Sequence, residues 1–586
     1  MTKKCNFKIK KQGLSRGRSS VKPRKAMNEI NKKRFFTQLT TTQLYLMIGN
    51  FLLVFFLIML SDLGILPLQN ISDFLFFTFL FLFFALYRPG WAFLLFVGTI
   101  ALEKINFAPA SFGITMRLYQ FSGALVILAM LIRLVAKRLN FSLEKPKWYD
   151  ILIIFIVASS FVSALSAADH ALSFKLSVVF ATFAALYFLV RNYIRDIMDL
   201  KKIIPFFLSS SLIVILYGIW QNVRFSRGLI AFEVMPGRPN ATFPEADWLG
   251  IFLVFLIAVV YAVIFYYGTK LTRNDTSEIS NFQTPTLPTD RQVSNKIPNH
   301  KFQKFVPYLV IILSYILLIL TVSRSAWLGA AAATFIFLFL ILTNLKFNPK
   351  FWRWKNFGVN LAEIAISAII AVAVVYFFNL TSFQLFNRVQ STGSGLQKIT
   401  IACSPRAELS EVESLRVVGD VSELEKFGCR HINLEDIEKE IGLNNIVKEI
   451  YRSDPNVNIR KEIYAKSWQA IKKNPVLGIG WGSIGKILGT DERGASLNAS
   501  NIFLEIWLGA GLLGFLAFVA LWAYILLRNV LNFLNTDDPE EQAFALFVIG
   551  SWFGLTIANL FNAGIMLGFL WLFMAAAMVD LKTNSP

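Results

Sequence analysis

Long apolar runs, broken by short polar or basic stretches, set the rhythm of this chain. Fourteen of them predict membrane-spanning helices, at 42–60, 71–87, 91–108, 118–136, 151–168, 171–190, 203–222, 247–267, 306–322, 326–345, 359–379, 501–527, 542–560 and 564–580. Their lengths suit a helix crossing a hydrocarbon core of ~30 Å at ~1.5 Å per residue. Glu103 and Lys104 interrupt the third. A polar insert, 380–500, separates the eleventh run from the twelfth. Its stretches 407–427 and 433–452 mix charges at helical spacing. In NIRKEIYAKSWQAIKKNPVLGIGWG, Tyr464, Trp468 and Ile471 share one face of an amphipathic helix. Asn474-Pro475 ends that helix, and Gly478, Gly480 and Gly482 make a loop of little bulk. The expected fold is all-α: a polytopic membrane protein of about 14 transmembrane helices with a large helical extracytoplasmic insert before the twelfth.

Composition agrees with this pattern. Of 586 residues 55% are hydrophobic and 16% charged, and the mean hydropathy is +0.54. A soluble domain carries about a quarter charged residues. The net charge of +21 is uneven: residues 1–40 hold 13 Lys and Arg against one acid, Glu29. Ahead of a first span, such a tail reads as a cytoplasmic positive-inside anchor rather than a nucleic-acid arm. No small-residue cleavage site follows the first apolar block, so it is not read as a removable signal. With the N-terminus inside, Lys137, Arg138, Lys145, Lys147, Arg191, Arg195, Lys201, Lys202, Lys346, Lys350, Arg353 and Lys355 all fall in inward loops. Both termini are then cytoplasmic. The segments become a tail (1–40), spans one to eleven (41–379) with a disordered cytoplasmic loop at 268–305, the insert (380–500), and spans twelve to fourteen (501–580). The insert's 16 basic and 15 acidic residues fit a folded region.

The polar groups that invite a chemical question share the outward side. Arg117 begins the fourth span, Arg238 lies in 224–247, and Arg324 tips the tight hairpin SRSA. Glu245 and Asp247 open the eighth span, and Glu505 lies one turn inside the twelfth. Charges at span edges mark pathways or reaction sites, although an arginine at a helix end can simply snorkel and an acid there suits the helix dipole. Several guanidiniums on one face suit a phosphate or diphosphate, and nearby acids could take a proton from an attacking hydroxyl. Cys403 and Cys429, both in the insert, could form a disulfide or remain free thiols. His170, His300 and His431 have no partners at metal-ligand spacing, so neither metal nor cofactor is expected. The glycines of GWGSIG lack the Lys-Ser/Thr of a nucleotide loop.

Four motifs in order, GRPNATFPEADWLGIFL, LTVSRSAWLGAAAA, KKNPVLGIGWGSIG and NASNIFLEIWLGAGLLGFL, resemble the O-antigen ligase and polymerase superfamily (WaaL-like and Wzy-like proteins) over about residues 230–565. The resemblance implies a glycosyltransferase of the plasma (inner) membrane that needs no metal. Its donor would be a glycan on a polyprenyl diphosphate, undecaprenyl diphosphate in lipopolysaccharide and other cell-envelope polysaccharide synthesis. Its acceptor would be a lipid, a glycan or a protein on the outer face. Arg324 matches the family's Ser-Arg arginine and Arg238 that of its G-R…T-F segment. Both would hold the diphosphate, with Arg117 and Asn501 as further donor contacts. Asn501 and Glu505 match the pattern H-N-x-x-L-E.

One departure stands out. Ser500 occupies the place of the ligase histidine, and a serine is no base at neutral pH. The proton would go to Glu245, Asp247 or Glu505, with Glu245 and Glu505 favoured, or the reaction would need no base; nothing local aims His431 at the site. Ligase and polymerase readings both stay open. A lipid or polysaccharide transporter is the alternative of another class, but it should show internal repeats and charges near mid-span. A family member that has lost catalysis is the third.

Overall fold

The computed structural model describes residues 41–113, 115–139, 143–235, 237–280, 300–346, 348–381, 395–405, 417–418, 421–432, 437–453, 455–490, 494 and 496–581. The basic tail 1–40, the middle of the Thr/Ser/Asn/Pro-rich loop and parts of the insert lie outside these residues.

Helices run in the order α1 (Thr41–Asp62), α2 (Ile71–Tyr87), α3 (Pro89–Thr99), α4 (Leu118–Val135), α5 (Trp148–Ala164), α6 (His170–Tyr193), α7 (Ile197–Ser226), α8 (Ala246–Ser280), α9 (His300–Leu320), α10 (Arg324–Thr343) and α11 (Trp354–Phe377). After the insert come α15 (Ile502–Asn535), α16 (Pro539–Asn559) and α17 (Gly568–Ala576); the insert itself carries β1 (Leu396–Cys403), β2 (Cys429–Ile432), α12 (Ile437–Gly442), β3 (Ile446–Ser453), α13 (Pro455–Lys473) and α14 (Trp481–Leu488). Among the described residues nine helices are long and apolar enough to cross a membrane, and four apolar helices of 10–17 residues accompany them.

Two of the fourteen expected spans are shorter than their apolar runs. The third stops at Thr99, because the chain turns aside to bury the Glu103 carboxylate among polar partners. The fourteenth is preceded by a break at 560–567 that carries only a 3-10 turn, Gly564–Met566, and only Gly568–Ala576 is α-helical. The loop expected at 268–305 is helical up to Ser280 and again from His300.

α8 lies at the centre of the bundle, packed against α9, α10 and α16, while α5 packs along α15 and α6 along α17. Phe243 and Phe252 meet Phe569 in one aromatic core, and Phe180 and Phe183 meet Trp571 in another. The outer faces of α2 and α11 leave Phe76, Phe79, Phe83, Ile366 and Ile369 exposed, as lipid-facing helices do.

The insert differs from the helical expectation. Its first part is a three-stranded antiparallel sheet in the order β2-β1-β3. LQKITIAC and IVKEIYRS are rich in β-branched residues, and this outweighed the mixed charges that had looked helical over 433–452. Among the described residues of that stretch only α12 is α-helix; of the other expected helix, 407–427, residues 407–416 and 419–420 are outside the described set and Val421–Phe427 is a 3-10 helix. Ile399, Ile401, Val418 and Leu424 form the sheet's small core. Cys403 and Cys429 face each other across β1 and β2 and are disulfide-bonded.

The insert's second part is fastened into the bundle. Backbone N–H groups of Gly480 and Gly482 donate to the hydroxyls of Ser163 and Ser173, each at 3.0 Å, and the Trp481 indole donates to Ser160 at 3.0 Å. Ile479 and Gly480 also donate to the Leu508 carbonyl, and Leu512 donates to that of Val476. α15 is broken for this purpose at Gly511, whose φ is 66°. A Cβ on Gly478 would sit 2.6 Å from the Leu508 oxygen, so the glycines serve backbone contact, not a phosphate.

Candidate functional site

Four chain segments meet at one end of the bundle: 233–247, the 321–325 hairpin, the entrance to α15, and 560–568. Arg238 is the first link. Its Nε donates to the Thr321 carbonyl at 3.0 Å, and Nη2 lies 3.2 Å from Asp247 Oδ1. Met235 Sδ lies 3.7 Å from Nη1. The Ser323 side chain hydrogen-bonds the Asp247 carboxylate, and the Arg460 guanidinium is within electrostatic reach of it. Asp247 stands in the first turn of α8, Arg324 is the first residue of α10, and both are half-buried. Glu245, also half-buried, directly precedes α8, and its carbonyl accepts from the Leu249 N–H.

The stretch 560–568 joins the rest. Asn562 donates to the Ser325 hydroxyl at 2.8 Å. Asn501 caps α15, its side-chain oxygen accepting from the N–H groups of Phe503 and Leu504, while its Nδ2 donates to the Leu560 carbonyl at 3.1 Å. Tyr464, from α13, has its hydroxyl 3.1 Å from the same carbonyl and 3.2 Å from that of Ser500. Ser500 itself is in the left-handed region, φ 47°. Glu505 turns its carboxylate back over this bend, accepting the Ala499 N–H at 2.6 Å.

Arg117 is at the same end but differently employed. Its Nη1 lies 3.1 Å from Glu103 Oε2 and donates to the Met566 carbonyl at 2.7 Å and the Tyr119 hydroxyl at 2.9 Å. Tyr119 and the Gly568 N–H both donate to Glu103, whose side chain is fully buried. This network ties α4 and the 101–117 segment to 566–568. His431 lies in β2 opposite Ile401, within the insert's sheet.

Of the residues read from sequence, the structure thus brings Arg238, Asp247 and the root of Arg324 together and joins Asn501 to them through 560–562. It gives Arg117 a bracing contact set and Glu505 a turn-closing one. Sequence reading missed Arg460, hidden among alternating charges in NIRKEIYAK. It also missed the 560–568 break, where NLFNAGIMLG carries two asparagines and two glycines inside an apolar run. Among the described residues no group of three or more His, Cys, Asp or Glu side chains is placed to hold a metal ion.

Residues 309–519 match the family model for O-antigen ligase. The match supports the O-antigen ligase and polymerase superfamily for this chain. It runs from α9 through the insert to the middle of α15 and so contains Arg324, Asn501 and Glu505. Arg238 and the 560–568 stretch lie outside the matched O-antigen ligase segment, yet fold against it. No curated protein matches the chain. Its apolar helices and this family together point to a multi-pass membrane protein.

Proposed function

We propose that the chain transfers a glycan from a polyprenyl diphosphate to an acceptor at the outer face of the plasma membrane, with the site end of the bundle and the insert outside. The observation that carries this is the contact of Arg238 with the backbone of the Thr321–Ser325 hairpin that bears Arg324. The Arg238 guanidinium is held by the Thr321 carbonyl, and Arg324 opens α10 three residues further on, so the two arginines start from adjoining backbone. Arginine forks match diphosphate oxygens and stay charged at any working pH.

In the transfer, an acceptor hydroxyl attacks the sugar's anomeric carbon and a new C–O bond forms. The bond from that carbon to the diphosphate oxygen breaks, and its electron pair leaves with the polyprenyl diphosphate. The arginines stabilise the charge that develops there, in the manner of an oxyanion hole. The hydroxyl proton goes to a carboxylate. Glu245, directly before α8, and Glu505, in the first turn of α15, are the acids we favour for this role. Asn501 contributes by fixing the head of α15 against Leu560. Leaving-group stabilisation is then the larger part of catalysis, consistent with Ser500 in the ligase histidine's place. A ligase and a polymerase would share this chemistry and differ in acceptor.

The test is a transfer assay on the full chain in lipid nanodiscs, supplied with a polyprenyl-diphosphate oligosaccharide and candidate acceptors, with release of free polyprenyl diphosphate read by mass spectrometry. Acceptor-dependent release that drops by about 100-fold or more in Arg324→Ala is expected, the scale of losing a pre-organised donor to a developing charge. Glu245→Gln and Glu505→Gln distinguish the two acids. Donor that is bound but stays intact under every condition would replace this reading with a transporter or with a member that has lost catalysis.

A further inference from the structure

The insert sends one helix into the site. On α13, Ile463, Ala470 and Ile471 are buried in the main core, and Tyr464 shares its hydroxyl between Ser500 and Leu560 as described above. Arg460 lies one turn earlier on the same face. Its guanidinium carbon lies over the Phe561 ring, 5.7 Å from the centroid. Phe561 precedes Asn562, which holds Ser325 beside Arg324. From the other side the Asp247 carboxylate lies within electrostatic reach of the same guanidinium.

We infer that Arg460 is a third cation of the donor site, and that Asp247 is the standing counter-ion which a diphosphate displaces from Arg238 and Arg460. The inference rests on the function proposed above and names the insert as part of that site. A guanidinium over a ring face can still donate N–H hydrogen bonds to a ligand. A diphosphate carries enough charge and enough oxygens to bridge both guanidiniums, as a single carboxylate does not. Asp247 and Arg238 are partly open, with side chains 29% and 14% exposed, so an incoming anion can exchange with the carboxylate. Donor capture would then also hold the insert's helix on the bundle.

The experiment uses the full chain in nanodiscs with farnesyl diphosphate as probe, titrated calorimetrically beside inorganic diphosphate, and the donor KM from the release assay. Arg460→Gln should weaken probe binding and raise donor KM by about 10- to 100-fold, the range for losing a charge-assisted hydrogen bond. Arg460→Lys should recover part of this, because it keeps the charge without the fork. Wild-type affinity in Arg460→Gln, with binding lost in Arg238→Gln, would overturn the third cation and leave the diphosphate reading standing. No binding of either probe by the wild type would overturn both. A collapse of thermal stability in both Arg460 variants would make the residue a brace and overturn the inference.

Discussion

Arg117 and Arg238 sit at the same end of the bundle, each beside a carboxylate, and the two pairs are built to opposite ends. Glu103 is sealed from solvent and takes hydrogen bonds from Tyr119 and the Gly568 backbone as well as its arginine. Arg117 in turn is spent on a carbonyl and a hydroxyl. Around Arg238 the carboxylate is shared with a hydroxyl and a second guanidinium, and the carboxylate itself is 29% exposed where Glu103 is sealed. A sealed carboxylate held by three partners is expensive to strand. An open pair with surplus positive charge can trade its anion. The difference separates a brace from a binding site, although both arginines look alike at the edges of apolar runs.

The largest effect should come from breaking the brace. Arg117→Ala removes the cation beside the buried Glu103 carboxylate, at a cost of about 3–5 kcal/mol. Little folded protein is expected in detergent extracts, and the double variant Arg117→Met with Glu103→Gln should recover a good part of the thermal stability. An Arg117→Ala protein that folds normally but cannot bind diphosphate would erase the distinction and return Arg117 to the donor site.

A second test concerns the insert's attachment, through which Arg460 reaches the Arg238 region. Gly478 has φ +73° and no room for a Cβ beside the Leu508 and Trp507 oxygens. Gly478→Ala should cost about 1–3 kcal/mol through overpacking and strain. Limited proteolysis should cut the insert faster while the melting of the helical core shifts little. Unchanged proteolysis would mean that the Gly loop does not fasten the insert.

How much of this was legible beforehand follows from where each signal resides. The spans were readable because burial in lipid writes itself as length and hydropathy. Arg324 drew notice as a charge at the tip of an apolar hairpin and Arg238 through its place in GRPNATF, and the fold sets Arg238 against the backbone of that hairpin. The 560–568 stretch was not, because it acts through the carbonyls of Leu560 and Met566 and the N–H of Gly568, and backbone groups leave no side-chain signature. Its glycines and asparagines were visible but were absorbed into an apolar run of the right length. The sheet of the insert was hidden by charge: Lys398 and Glu449 pair across β1 and β3, and in sequence each looks like the polar face of a helix. Arg460 was lost for the same reason, one basic residue among several until the fold sets it over Phe561.

A smaller effect sharpens the contrast directly. Asp247→Asn removes the competing anion from Arg238 and Arg460, so inorganic diphosphate should bind about three- to tenfold tighter, the scale of a partly exposed ion pair. The equivalent change at the brace, Glu103→Gln, should lower stability instead and give no gain in anion affinity. Weaker diphosphate binding in Asp247→Asn would show that the carboxylate orients Arg238 rather than competing for it.

Glu233 provides the smallest and last test, as a third carboxylate at this end whose titration is set by burial rather than by a cation. Burial pushes its carboxyl up to about 7, with the Gly237 N–H pulling against the shift, and Oε1 is buried without a hydrogen-bond partner. A raised carboxyl favours the protonated form in the folded chain. Its contribution is therefore full below the unfolded value near 4.5, is lost as the pH rises to about 7, and stays unfavourable above that. Glu233→Gln removes the ionisation, so the variant should melt higher than the wild type at pH 8 and match it at pH 4. Partial exposure lets water screen the charge, so the gain should be about 1 kcal/mol or less. An equal difference at both pH values would assign the effect to packing, and a lower melting point at pH 8 would mean that the ionised carboxylate has a cationic partner, making it a pair of the Arg238 kind.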